Sequence, residues 1–272
     1  MKSSVVVVAC CFRLTPKNMQ LRLKRLIEKY KCNTSVFIIS SQAHKEQDMG
    51  SGWTLLPSDN IDFDFSAYFV GAEAVIKRHP EAKAVLFIND TLFTNHAAEA
   101  NFRAVWRHVG LIQEIEIPAI AGKADRYSTI CLKNPWSSLD SYISTFCFLL
   151  NLKALELMRQ LRIEADKDEI THLGSLEDVT WGAKLPHAFR QFIKANLTYK
   201  TSSYLWYRLK NNFYTDLQLL SKARTIYFEH RISGEIGKLG CLVPSNAGLR
   251  WTSYLVFQEL WQKLLRKLYF KL

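Results

Sequence analysis

The sequence predicts an α/β fold, a mostly parallel sheet flanked by helices, with a helical and aromatic-rich C-terminal part. Three observations predict it. Residues 5–12, 35–40 and 84–88 are short, nearly continuous apolar runs rich in Val, Ile and Phe, as in strands buried on both faces. Segments 19–30 and 67–78, which alternate with those runs, carry apolar residues at helical spacing. The third run stops abruptly at Asn89-Asp90-Thr91, placing an amide, a carboxylate and a hydroxyl at the strand's carboxyl end. Open α/β sheets place their ligand crevice at that end.

Taken in order, Val5 opens a β-branched central strand, and Leu14 to Asn18 form the loop that leaves it. Leu23, Leu26, Ile27 and Tyr30 fall on one face of the next helix, with Lys24, Arg25, Glu28 and Lys29 on the other. Ser35 begins the second strand, and a right-handed crossover makes the first two strands parallel. Residues 42–52 are polar and read as a surface loop; 55–57 read as a short third strand. Ser66 or Asp64 caps the helix that ends at His79-Pro80. Asp62-Phe63-Asp64 has the form D-x-D, but it precedes a helix, so capping and positioning at the phosphate side are the economical roles.

Asp90 is the stronger metal candidate. A carboxylate at that place can hold Mg²⁺ or Mn²⁺ against a diphosphate, whose oxygens complete the shell. The competing reading is a helix-capping loop, since Asn, Asp and Thr are ordinary caps. Beyond it, 99–109 read as a helix and 112–122 as an extended segment. Lys123 to Tyr127 is dense in groups that suit a sugar or a diphosphate, or a solvated turn. A short strand at 129–132 leads to a turn at Asn134-Pro135-Trp136.

Residues 140–162 read as a long helix, apolar all round in its first half, with Asp140, Ser141 and Tyr142 at its mouth. Helices follow at 188–197 and 203–214, the latter with Trp206, Tyr207, Phe213 and Tyr214. Residues 223–240 read as a short strand, a polar break at Glu229-His230-Arg231, and a short helix closed by Gly240. Glu229 is then either a general base for an acceptor hydroxyl or the ion-pair partner of Arg231. The last segment, 252–272, sets Leu255, Val256, Leu260, Trp261, Leu264 and Leu265 against Lys263, Arg266, Lys267 and Lys271. It reads either as a basic amphipathic helix lying in an anionic membrane interface, or as a docked terminal helix with a solvated basic face.

A formal charge of +11 calls for an anionic partner: nucleic acid, an acidic membrane surface or a phosphate-bearing substrate. No RNA-recognition or basic-region signature accompanies the interleaved aromatics, which disfavours nucleic acid. The six cysteines lack CxxC spacing and sit in apolar surroundings, as buried reduced thiols do. The N-terminal apolar run is too short for a secretory leader and is met at once by Arg13, so it reads as a first strand in a cytoplasmic protein. No segment reaches the ~20 apolar residues of a membrane span. GxGxxG, P-loop, HExxH and GxSxG motifs are absent, against a dehydrogenase, P-loop kinase, zincin or α/β-hydrolase.

Three stretches carry a likeness: FDFSAYFVGAEAVIK with AVLFINDTLF, SSLDSYISTFCFLLN, and FEHRISGEIGKLG. In these the chain resembles bacterial surface-polysaccharide glycosyltransferases of the GT-A type, in particular the rhamnan-synthesis F-like group. The resemblance implies one GT-A-like domain over 1–250, with a nucleotide-sugar half to about 135 and an acceptor-side half from about 136, before the basic helix at 251–272. It implies a nucleotide-sugar donor at the sheet's carboxyl edge, bound by Asp64, Asn89, Asp90, Thr91, Lys123, Arg126, Asp140 and Ser141. Asp90 stands for the last carboxylate of a D-x-D and would hold the divalent metal, and Glu229 and Asp90 are the catalytic residues. Asn89 directly before Asp90 departs from the fuller pattern, and Lys123 and Arg126 are the basic alternative to a metal.

The implied reaction is sugar transfer from a nucleotide diphosphate to a hydroxyl of a cell-surface polysaccharide or lipid-linked glycan, with the protein peripheral on the inner face of the inner membrane. The alternative is a non-catalytic basic α/β module that binds nucleic acid or a polysaccharide-assembly partner.

Overall fold

The computed structural model describes residues 5–30, 32, 34–127, 130–198 and 215–269, the side chains of 266–269 excepted. An α/β architecture is what the sequence leads to. Eight strands form one mixed sheet in the order β3-β4-β2-β1-β5-β7-β6-β8. The first half contributes β1 (Val5–Cys11), α1 (Pro16–Lys29), β2 (Thr34–Ser40), β3 (Gln47–Gly50), β4 (Trp53–Pro57), α2 (Asp64–Arg78) and β5 (Ala84–Asn89). Next come α3 (Thr91–Thr94), α4 (Ala98–Trp106), α5 (Val109–Glu114) and β6 (Ala119–Arg126). The second half adds β7 (Ser141–Asn151), α6 (Leu152–Lys167), α7 (His187–Leu197), α8 (Asp216–Leu239), β8 (Cys241–Pro244) and α9 (Leu249–Tyr269).

Strand alternation explains the continuous apolar runs. Val6, Val8 and Cys10 face a core shared with α2, α6, α7 and α8, while Val5, Val7, Ala9 and Cys11 face a second core with α1, α4 and α5. Both faces are covered, so neither face of β1 has a use for polar side chains. β1 pairs in parallel with β2 on one side and with β5 on the other, and β2 pairs in parallel with β4. The chain therefore winds outward from β1 to β4, then crosses back to lay β5 on the opposite flank. Its direction of winding reverses between β1 and β5. From β5 onward the sheet turns antiparallel, β5 with β7 and β7 with β6, before β8 closes in parallel beside β6.

Several local expectations are corrected. Residues 47–50, read as loop, form an edge strand antiparallel to β4, joined through Ser51 and Gly52 at positive φ. The 112–122 segment begins as α5 and becomes extended only in β6. The supposed long helix at 140–162 is β7 followed by α6: its apolar run is a strand buried on both faces, and Asn151 caps the helix by accepting from Ala154 N at 3.0 Å. Conversely, 223–240 is no strand and break. It lies within the 24-residue α8, opened by a Thr215–Gln218 capping box and buried almost all round between the sheet, α6 and α7. In the 129–132 stretch only Cys131 makes a strand bridge among the described residues, and 203–214 lie outside them. The cysteines are free thiols, as read. Among the described residues no helix is long and apolar enough to cross a membrane.

Candidate functional site

The carboxyl ends of β1 and β5 lie side by side where the winding reverses. That is the place where open α/β sheets form a ligand crevice. Asp90 sits there but faces inward. Its Oδ2 accepts the backbone N–H groups of Phe12 and Leu14, each at 2.8 Å, and that of Arg13. Three consecutive amides converging on one carboxylate form an anion nest, and here the anion is the protein's own. The side chain is fully buried, and Oδ1 has no hydrogen-bond partner and no exposed surface. The metal reading of Asp90 does not fit this geometry, nor does the capping reading, since Asp90 makes no side-chain cap to α3. Asp90 fixes the loop that leaves β1. Asp90→Ala is expected to cost about 1.5–3 kcal/mol of stability with no ligand present, read as a lower urea midpoint. A surface metal ligand would leave that midpoint unmoved.

Asn89 links the loop to the next carboxylate. Its Oδ1 accepts from Thr91 N at 3.1 Å and from the Thr91 hydroxyl, and its Nδ2 donates to Asp64 Oδ2 at 2.7 Å. Asp64 opens α2 at the positive end of that helix's dipole, with Cys10 Sγ 3.7 Å from Oδ1. Neither Asp64 nor Ser66 caps the helix. The N-cap is Phe63, held at φ 48°, ψ −126°, a conformation L-residues rarely adopt. That twist splits the D-x-D. Asp64 turns towards β1 and β5, while Asp62 turns away into a buried cluster with Arg224, Arg162 and His172. The two carboxylates are not a chelating pair.

The opposite wall comes from a break in the β6–β7 ladder. Gly122 pairs with Phe148 and Ala124 with Ile143, so two steps along β6 span five along β7. Ser144 to Cys147 fall in this irregular stretch, and while Cys147 still pairs with Ile88, Ser144 to Phe146 bulge at the end of β5. Bulges commonly re-aim side chains beside active sites. Here the bulge presents Thr145 to α8: Glu229 Oε1 accepts from Thr145 N at 2.8 Å and from its hydroxyl at 3.0 Å. Tyr68, fully buried beneath, donates to Thr145 O at 2.6 Å. Ser144 donates to Asp125, which also pairs with Lys123 at 3.0 Å. Arg231 binds Glu164, Asp168 and Glu235, which leaves the other early reading of Glu229, as its ion-pair partner, without support.

Lys222 lies two helical turns before Glu229, on the same face of α8, and its charge acts on both Glu229 and Asp64. Burial pushes the Asp64 carboxyl above the usual range, Lys222 opposes that, and the nearby Asp90 charge adds to it. Burial likewise raises Glu229, against the two Thr145 hydrogen bonds and Lys222, with Asp125 adding to the rise. Two half-buried carboxyls of raised affinity for protons thus lie within the field of one ammonium. A carboxyl whose folded pKa is raised favours the fold while protonated, and that contribution is lost as pH rises through the folded value. Glu229→Gln is therefore expected to be more stable than the parent at pH 8, with the gap closing towards pH ~4. Paired urea titrations at the two pH values check this; a gap that widens on acidification would contradict it.

The structure thus brings Asp64, Asn89, Asp90 and Thr91 together at the carboxyl ends of β1 and β5, and the Lys222 charge acts on both Asp64 and Glu229. Lys123 reaches the β7 bulge through Asp125, which binds Ser144. Arg126, Asp140 and Ser141 lie further out on the β6–β7 rim, where Arg126 pairs in register with Ser141 and Asp140 O accepts from Tyr127 N at 2.9 Å. Sequence reasoning missed Lys222, Thr145, Ser144 and the aromatic pair Phe12–Phe63, whose rings meet edge to face at 5.5 Å with Lys222 Nζ 5.9 Å from Phe63. The seven-residue spacing of Lys222 and Glu229 carries that signal only once 216–239 is read as one helix. Among the described residues, no three His, Cys, Asp or Glu side chains cluster to hold a metal ion.

No protein-family model matches the chain, and no curated protein matches it. Among solved structures, it is similar to a glycosyltransferase involved in the glycosylation of the major capsid of PBCV-1, at 10% identity and a TM-score of 0.31, over 67% of this chain and 72% of that one. A likeness of that size carries no argument about activity.

Proposed function

We propose that this protein is a glycosyltransferase that moves a sugar from a nucleotide-diphosphate sugar to a hydroxyl of a cell-surface polysaccharide or lipid-linked glycan precursor. The observation that carries the reading is the pair of half-buried carboxyls, Asp64 held by Asn89 at the end of β5 and Glu229 held by Thr145 in the adjoining β7 bulge, with the Lys222 charge acting on both. Crevices at that position suit nucleotides. Phe12, 39% exposed at the end of β1, and Phe63 offer apolar edges for a base. Asp64, half-buried and held by Asn89, offers a carboxylate to a ribose or sugar hydroxyl.

In this reading the acceptor oxygen attacks the anomeric carbon as the bond from that carbon to the diphosphate oxygen breaks, and Glu229 takes the hydroxyl proton. A carboxylate of raised pKa, aimed by Thr145, suits that role. Lys222 offsets charge as it develops on the departing diphosphate. Attack opposite the leaving group inverts the anomeric configuration. Asp90 supports the loop at the β1 end without touching substrate.

A thermal-shift screen of UDP-, GDP-, dTDP- and CMP-sugars, with and without Mn²⁺, tests the reading on the parent and on Lys222→Met. One nucleotide class at about a hundredfold over its Kd is expected to stabilise the parent by ~2.7 kcal/mol, and much less so the variant. No shift with any donor, together with nucleic-acid binding that falls steeply with salt, would instead support a non-catalytic binding module.

A further inference from the structure

α9 is only partly bound to the body of the protein. Leu255 packs against Ala97, Ala100 and Ala104, with Trp251 and Tyr254 beside it. Trp251 also stacks under Arg107, 3.8 Å from its ring centroid. Glu259 supplies the polar anchor: its Oε1 accepts from Asn101 Nδ2 at 2.8 Å and Ala97 N at 3.2 Å and lies 3.1 Å from His96 Nδ1. The outward side is different in kind. Leu249, Val256, Phe257, Leu260, Trp261 and Leu264 are all exposed, Phe257 and Leu260 at 61% each. At 3.6 residues per turn they fall within an arc of roughly 140°. A water-facing helix surface has no use for a Phe-Leu-Trp stripe.

We infer that this outward face of α9 seats the protein on an anionic lipid bilayer. Charge complementarity selects that occupant. The sequence puts Lys263, Arg266, Lys267 and Lys271 in and just after the last turns of the helix, in a chain with 36 Lys and Arg against 25 Asp and Glu. An apolar stripe edged by cations binds by burying its apolar face among acyl chains while its cations meet acidic headgroups. A second copy packed parallel on the stripe would bring like charges together, and one packed antiparallel would leave both basic ends without an anionic partner.

The position of α9 also matters. His96, which Glu259 engages, stacks on Phe146 at 3.9 Å, and Phe146 belongs to the β7 bulge that presents Thr145 to Glu229. One layer of side chains separates the lipid-facing helix from the crevice wall. The docking stands on α9 itself; its consequence, that a lipid-linked acceptor is met at the bilayer surface, rests on the glycosyltransferase reading.

Flotation of the full chain with vesicles of phosphatidylcholine alone, or with about 30% phosphatidylglycerol, tests the inference. The acidic vesicles are expected to bind at least about tenfold more protein, and less as salt rises from ~0.1 to ~0.5 M. Phe257→Ser/Leu260→Ser, at two exposed positions, is expected to lose about tenfold of that binding, with unchanged thermal midpoint and unchanged transfer to a soluble acceptor. Lys267→Glu/Lys271→Glu tests the charge independently, with the same loss expected. The inference is overturned if neither vesicle binds the parent, if both double variants bind as the parent does, or if the stripe mediates a dimer in sedimentation while vesicles bind nothing. Loss of transfer with vesicle binding intact would instead count against the glycosyltransferase reading alone.

Discussion

Asp62→Ala is expected to destabilise the fold by about 3–5 kcal/mol, the loss typical of a buried ion pair broken from one side. Asp62 is almost fully buried, and its Oδ1 accepts from Arg224 Nε at 2.7 Å and lies 3.0 Å from His172 Nε2. Its Oδ2 lies 3.3 Å from Arg162 Nε. The carboxylate therefore joins the loop before α2 to α6, α8 and the segment after α6. Removing it leaves the guanidinium of Arg224, itself 6% exposed, with the neutral Ile170 carbonyl and the more distant and exposed Asp166 at 3.8 Å, and no close counter-charge. Replacing both partners removes that penalty, so Asp62→Ala/Arg224→Met is expected to recover most of the loss. Urea unfolding of the three proteins is the check. A single variant within 1 kcal/mol of the parent would show that the cluster does not brace the two halves.

Glu229→Gln is expected to lower turnover by roughly 10²–10⁴-fold with little change in KM for the donor. The amide oxygen of Gln keeps the acceptor that Thr145 N and its hydroxyl use, so the bulge and α8 stay in register. What is lost is the capacity to take a proton. Donor binding, read by thermal shift, should therefore persist in Glu229→Gln and fall in Lys222→Met. Equal turnover of Glu229→Gln and parent would remove Glu229 from the chemistry.

Much of the first half of the fold was legible because its signals are local. A β-branched run, apolar residues at helical spacing and the His79-Pro80 stop mark β1, the body of α1 and the end of α2 without reference to the rest of the chain, although α1 begins at Pro16, capped by Thr15, within the stretch read as loop. The second half was misread where burial overrode local preference. β7 is apolar on both faces and so shows no alternation, while α8 holds Thr225, Ile226, Tyr227 and Phe228 in a helix because every side of it is packed. At the end of β5 the polar residue types were legible, and Asn89 there does meet Asp64; Glu229, read at a strand end, lies inside α8 and meets the β7 bulge instead. Their roles were not legible. Which way Asp90 faces depends on three amides from a loop 76 to 78 positions earlier, and the partners of Glu229 depend on a bulge that only pairing across β6 and β7 creates.

The sheet's two borders bear on how the protein behaves at high concentration. β3 and β8 are four residues each; the first carries an irregular register at Asp48 and Gly50, and the second ends in Pro244, which has no N–H to offer. Short, interrupted margins are poor templates for a further strand, so runaway ladder growth between molecules is disfavoured at both ends. Clumping, where it occurs, should respond to detergent that covers α9 and not to changes along the strand margins.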